Sequence, residues 1–322
     1  MNGTAKETLH QEYDSQQEVT GGGKYRVITV WYDRCHDILE DNIARHNKNT
    51  SVGDPVVSGG GMGGYSWLGC ANGQGVLKRV ANGWPEGRAK AESMAEELDI
   101  PELKEPVASV IERKRKRRRG DFGNEVDIHR VNQGHCDTAW ERIVKVNKTN
   151  QSKAVTLFIN TGGLSEVQFD QSMWRAAATL AIYKLLSRAG RSVRVVVGSI
   201  AQDVYPSLGQ HYATTAAVVK DFQEPLDIDK LAAMANIGYH RVFNFRARLC
   251  HSKLRCSNYM GRTVGGTEIL PYPLLEDKET RGIPVVNLTT CLSRSQAQFA
   301  VESVVRQLKL QLEKGNSLSV SV

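Results

Sequence analysis

The sequence lacks several patterns that would settle its chemistry at once. No apolar run approaches the about 18 to 20 residues that a bilayer-crossing helix needs, which excludes a spanning segment of that kind. No Cys-x2-4-Cys pair is present, so a zinc finger cannot be read from spacing. No glycine run ends in Gly-Lys-Ser/Thr, and no Gly-x-Ser-x-Gly elbow marks a hydrolase serine. Aromatic residues make up only 7% of the chain, and none interrupts its one strong basic run, so a base-stacking platform is not supplied there. Met1-Asn-Gly-Thr-Ala-Lys-Glu is polar and mixed in charge, unlike a secretory leader. With six scattered cysteines, this leads to the expectation of free thiols in a reducing cytoplasm.

What is present is a chain of 322 residues, 40% hydrophobic, long enough for one large or two ordinary domains with a real core. Its net charge is +7 with a pI near 9.0, a balance that admits a polyanionic partner. The excess gathers in Arg113, Lys114, Arg115, Lys116, Arg117, Arg118 and Arg119. Adjacent cations repel one another and stay hydrated, so this run reads as a solvated strand edge, an exposed arm or a phosphate-binding surface, not as a buried element. Asp121, Glu125 and Asp127 follow it and serve as its acidic counterweight; a cation site there, as a nuclease would need, is the less favoured reading.

Composition divides the chain as follows. Residues 1–24 are polar with Gly21-Gly-Gly23 and read as a tail. Residues 25–112 form a mixed α+β region: a strand over Tyr25–Trp31, a short helix within Asp33–His46, a glycine-rich loop over Asn47–Gly64, and a helix on Val76, Leu77 and Val80. Gly83 stops that helix, Pro85 bars its continuation, and Arg88–Leu98 forms another. Residues 113–153 hold the basic run and a connecting segment, 154–314 an α/β domain, and 315–322 a second tail.

The α/β domain is the best-signalled part. Ala154–Asn160 is apolar at successive positions, as a strand covered on both faces requires. A turn over Thr161-Gly-Gly163 leads, through Ser165 as N-cap, to a helix over about Glu166–Ala189 with almost no polar face. A strand follows at Ser192–Ile200, a third at His211–Phe222, and a helix between Asp227 as cap and Gly238 as stop. A late strand over Gly282–Leu288 and an amphipathic helix over Arg294–Glu313 complete it. The predicted fold class is α/β, with a doubly wound, mostly parallel sheet in the C-terminal half.

Strand, small-residue loop, long helix, strand, then a late strand and terminal helix resemble a von Willebrand factor A domain over Ala154–Leu312. Gly123-Asn-Glu-Val-Asp-Ile-His-Arg-Val131 before it is similar to the approach to that domain in chelatase-type accessory proteins. Trp67-Leu-Gly69, Gly83-Trp-Pro-Glu-Gly87 and Trp174-Arg-Ala-Ala-Ala178 resemble a group of phage-encoded proteins carrying such a domain. The resemblance implies an Asp-x-Ser-x-Ser loop that holds Mg²⁺ through hard oxygens. At those positions this chain has Asn160, Gly162 and Leu164, with Thr161 and Ser165 out of register. The implied site is therefore degenerate, and no metal and no cofactor is expected.

Cys250, His251 and Cys256, with Cys35-His36 or His135-Cys136, are the residues from which a zinc set would be drawn, but their spacing does not form one. No catalytic residue is assigned. The leading expectation is a non-enzymatic interaction or assembly protein that binds a protein partner through Asn160, Thr161, Gly162, Gly163 and Ser165. Such a partner would be a ring ATPase, as the chelatase-like resemblance implies, or a virion component. The alternative is a nucleic-acid-binding protein using Arg113 to Arg119, with Lys253, Arg255 and Arg262 as further contacts. Loss of binding with salt separates the two.

Overall fold

Alternation along a few strands decides the architecture of the chain. In the computed structural model, described residues are 10–18, 24–38, 40–41, 73–101, 115–120, 125–126, 128–135, 140–145, 154–162, 167–202, 211–245, 247, 251, 254, 262–263, 269–288 and 291–314. The elements begin with β1 (Gln11–Glu18), β2 (Lys24–Tyr32), α1 (Gly73–Asn82), α2 (Pro85–Glu96), β3 (Arg115–Gly120), β4 (Glu125–Val126), α3 (Ile128–Asn132) and β5 (Trp140–Lys145). They continue with β6 (Ala154–Asn160), α4 (Phe169–Arg188), β7 (Ser192–Gln202), β8 (His211–Lys220), α5 (Ile228–Met234), α6 (Ile237–Tyr239) and a π-type turn, His240–Asn244. Last come β9 (Arg262–Thr263), α7 (Tyr272–Glu279), β10 (Val285–Asn287) and α8 (Arg294–Lys314). Residues 1–105 with 152–322 form one unit and residues 106–151 another.

The larger unit is built on a mixed sheet of order β1-β2-β8-β7-β6-β10, with β9 paired to β7. The pairs β2–β8, β7–β6 and β6–β10 are parallel; β1–β2, β8–β7 and β7–β9 are antiparallel. Residues 11–18, placed in the tail by the sequence reading, are thus an edge strand in register with β2, Gln11 opposite Trp31 and Glu18 opposite Lys24. Their few apolar side chains suit an edge strand exposed on one side, and this is why composition alone conceals them.

Both faces of the sheet are apolar, and side chains divide by parity. Val155, Leu157, Ile159, Val193, Val195, Val197, Ile28, Val30 and Tyr32 point to one face, where α1, α2, α4, α5 and α8 contribute to the same core. Phe158, Val196, Ile200, Val27 and Trp31 point to the other, where Ile269, Leu270 and Leu274 of the α7 segment meet them. A doubly wound sheet distributes helices over both faces; among the described helices, α7 alone supplies the second core. Each fully buried Val, Leu, Ile or Phe contributes roughly 1.5–3 kcal/mol, so both faces matter to stability.

Helix α4 lies at the centre of the thicker layer, packed on α2 and α8. Its N-cap is Gln168, which forms a reciprocal capping box with Gln171. Ser165, the cap expected from sequence, lies outside the described residues. Asp227 does cap α5, accepting from the Lys230 N–H at 3.0 Å, but the helix ends before Gly238. The reason is local: Asn236 accepts from the Tyr239 N–H and donates to the Ala232 and Ala233 carbonyls, closing one helix and starting α6. Pro85 stands in the first turn of α2, where its missing N–H costs nothing, while Gly83 before it adopts φ +84°. Among the described residues, no helix is long and apolar enough to cross a membrane.

The smaller unit holds a three-stranded antiparallel sheet of order β3-β5-β4. The basic run is its edge strand: Arg115 stands opposite Lys145, Arg118 opposite Arg142 and Arg119 opposite Glu141. A strand edge dense in like charge is protected against pairing with another chain.

Candidate functional site

Strand β6 ends at the loop in which the sequence places the partner site. Asn160 and Thr161 are fully buried there. The Asn160 Oδ1 accepts the Gly162 N–H at 3.0 Å, and the Thr161 N–H and hydroxyl both donate to the Gly198 carbonyl, each at 2.8 Å. Arg175, projecting from α4 and 1% exposed, donates from Nη1 to the Thr161 carbonyl at 2.9 Å and from Nη2 to the Gly162 carbonyl at 2.7 Å. Burial pushes its guanidinium down to about 10, so it still carries its proton at neutral pH. The charge therefore stays in place, held against two backbone oxygens at the strand's end.

The node extends across the sheet. Asn244 of the π-type turn donates from Nδ2 to Thr161 Oγ1 at 3.1 Å, and its Oδ1 accepts from the Thr215 hydroxyl at 2.7 Å. Ser199 Oγ lies 3.2 Å from Thr215 Oγ1, and His240 Nδ1 lies 3.4 Å from Asn244 Nδ2. Hydroxyls and amides from β6, β7, β8 and the turn thus satisfy one another, as buried polar groups must. Gly198 allows the close approach: a Cβ there would stand 2.2 Å from the Thr215 carbonyl oxygen. Cys291, also buried, lies beside Arg175, and burial pushes its thiol up to about 11.

Of the loop residues singled out from sequence, Asn160, Thr161 and Gly162 come together in this node and face inward. Gly163, Leu164 and Ser165 lie outside the described residues. In the basic run, Arg113 and Lys114 likewise lie outside them, while Arg115 to Arg119 form the edge strand β3. Lys253 and Arg255 are outside; Arg262 falls in β9. Residues 106–151 carry eleven Lys or Arg against six Asp or Glu, a net of +5 within the chain's +7. The positive charge is therefore concentrated in the smaller unit.

A second polar cluster was not anticipated from the sequence. His10, just before β1, and Glu12 within it share one face by the two-residue period of a strand. The pair meets His251, whose Nδ1 is 3.5 Å from Glu12 Oε1, while His10 Nε2 is 3.5 Å from the same oxygen. The two imidazoles meet edge to face with ring centres 4.5 Å apart. Asp41 closes the ring from the other side: its Oδ2 lies 3.2 Å from His251 Nε2 and 3.6 Å from His10 Nδ1, and accepts the Tyr32 hydroxyl at 2.8 Å.

The available signal was the His-x-Glu spacing at 10–12, obscured by the polar composition around it. Sequence spacing groups His251 with Cys250 and Cys256, which lie outside the described residues. Cys35 is buried, and His36 pairs on the surface with Glu40 at 3.4 Å.

No curated protein and no solved structure matches the chain. Its residues 4–312 match the family described as Domain of unknown function (DUF7192), and over nearly its whole length the chain therefore belongs to that family.

Proposed function

We propose that the chain is a non-enzymatic interaction or assembly protein, of phage or mobile-element origin, built on a von Willebrand factor A-like layer without the ion of that fold. Arg175 is the observation that carries this reading. Its guanidinium, fixed on α4, supplies positive charge to the carbonyls at the end of β6, where the resembled loop would hold Mg²⁺. The Asn160 amide and Thr161 hydroxyl are committed to internal hydrogen bonds, and neither supplies a carboxylate. Further support comes from the run of β6, the long α4, parallel β7, late β10 and terminal α8.

The partner is a protein, a ring ATPase or a virion component, and it reads the continuation of this loop through Ser165. A photo-crosslinking residue at 165 in the full chain, expressed within its native gene neighbourhood, tests this. Adducts from position 165 that are missing from a control at Glu302, on the outer side of α8, support the reading. Equal or no adducts from both positions refute it.

One observation favours a second reading, the concentration of net charge +5 in residues 106–151. In that reading the smaller unit binds nucleic acid through phosphates, with Arg115 to Arg119 along its edge strand. Affinity should then fall linearly with salt on logarithmic axes, with a slope of about −0.9 per phosphate contact on duplex DNA. Absence of binding to DNA and RNA at low salt removes it.

A further inference from the structure

We infer that His10, Glu12 and His251 form a site for a divalent first-row transition metal, Zn²⁺ foremost, with Asp41 and Tyr32 as its supporting layer. This site lies outside the loop discussed above and does not depend on that reading. Zinc holds imidazole nitrogen and carboxylate oxygen at about 2.0–2.2 Å in a tetrahedron, which sets neighbouring ligand atoms about 3.3–3.6 Å apart. Glu12 Oε1 stands 3.5 Å from His10 Nε2 and 3.5 Å from His251 Nδ1, matching two edges of such a tetrahedron. The ligand atoms of all three residues lie within 4.8 Å of one another, so a modest rotation of one imidazole completes the third edge.

The surroundings follow the pattern of a metal centre's outer layer. A ligating imidazole is normally oriented by a carboxylate on its other nitrogen. Asp41 does this for His251 through Nε2 at 3.2 Å, stands 3.6 Å from His10 Nδ1, and is itself held by the Tyr32 hydroxyl. The Asp41 contact favours the His251 tautomer that leaves Nδ1 to bind, and in His10 it is Nε2 that faces Glu12. His251 is 1% exposed and Glu12 30%, so the site opens on the glutamate's side. Three protein ligands with one open position is the arrangement of zinc sites that keep a water or take an outside oxygen ligand. Among the described residues the cluster holds nitrogen and oxygen donors and no thiolate, a set that suits Zn²⁺, Co²⁺ or Fe²⁺ better than Cu⁺.

A bound ion would join the start of β1 to the chain at His251, two parts distant in sequence, with Asp41 from the segment after β2 supporting them from behind. Without an ion, the same residues would make only a closed polar ring of side chains, and the experiment separates these outcomes. The full chain, stripped with chelator, is dialysed against Zn²⁺ and, separately, Co²⁺. One tightly held equivalent is expected, with visible Co²⁺ absorption of tetrahedral type. Glu12→Gln and His10→Gln should each lower Zn²⁺ affinity at least tenfold while retaining the wild-type circular dichroism, and Asp41→Asn by about 10–100-fold. A wild-type chain that holds no stoichiometric metal, or variants that bind as well as it does, would overturn the assignment. If the variants fold poorly, Zn²⁺ must protect His10 and His251 of the wild type from diethylpyrocarbonate, read by peptide mass; no protection overturns it equally.

Discussion

Replacing Arg175 by Met tests whether a fixed guanidinium has taken over the end of β6. Methionine keeps much of the aliphatic volume but leaves the Thr161 and Gly162 carbonyls in place, without the donors that now reach them at 2.9 and 2.7 Å. A buried carbonyl deprived of its partner costs about 1–3 kcal/mol, and two of them cost roughly 2–6 kcal/mol. The substitution also relieves the burial of a charge, the effect that pushes the guanidinium down to about 10, and this offsets part of the loss. A net loss of about 3 kcal/mol is expected.

For a unit of this size, 1 kcal/mol corresponds to about 2–4 °C, so Tm should fall by roughly 6–12 °C. Arg175→Lys keeps the charge but not the fork that spans two carbonyls, and should lie between the wild type and Met. Urea unfolding followed by circular dichroism reads both variants. An Arg175→Met protein as stable as the wild type, or more so, would mean that the loop carbonyls find other partners, and the ion-replacement argument would fail.

Other expectations rest on single contacts. Gly198→Ala places a Cβ 2.2 Å from the Thr215 carbonyl and should separate β7 from β8, with a loss of about 3 kcal/mol or insoluble expression; a soluble protein of wild-type Tm would contradict it. Gly87→Ala brings a Cβ to 1.9 Å from the Trp84 ring and must move the indole off Arg79 and Phe169, which shifts tryptophan emission; an unchanged spectrum refutes this. Cys291, buried and with its thiol pushed up to about 11, should resist iodoacetamide at pH 8 in the folded protein and react after denaturation. Because its folded value is raised, the unfolded chain loses that proton first. Stability should therefore fall as pH rises from the ordinary thiol range toward 11, and Cys291→Ala should flatten that slope.

The sequence was most informative where one physical rule acts alone. Ala154–Asn160, Ser192–Gln202 and the long α4 are legible because a strand or helix covered on all sides must be apolar throughout. Gly83 and Asp227 are legible because a positive φ and an orphan N–H each favour few residue types. Strand β1 is not, since an exposed edge strand owes its place to the ladder with β2 and not to its own side chains. Arg175 reads as one more residue in an Ala-rich helix; that it turns inward depends on where β6 ends, a tertiary fact. The meeting of His10, Glu12, Asp41 and His251 needs the chain to fold before any spacing has meaning.

Arg175 and the histidine cluster present charge in two ways that differ in what can remove it. The guanidinium is covalently part of α4, so its charge at the Thr161 and Gly162 carbonyls cannot dissociate as an ion would. A metal at His10, Glu12 and His251 would be exchangeable, and its loss would leave two imidazoles and the Glu12 carboxylate to rearrange around Asp41. Chelator therefore discriminates between the centres. It should loosen protection of backbone amides near residues 10–12 and 251 in hydrogen exchange, and leave those of Thr161 and Gly162 unchanged. Equal loosening at both places would mean that the β6 loop depends on an ion after all, and that Arg175 does not substitute for one.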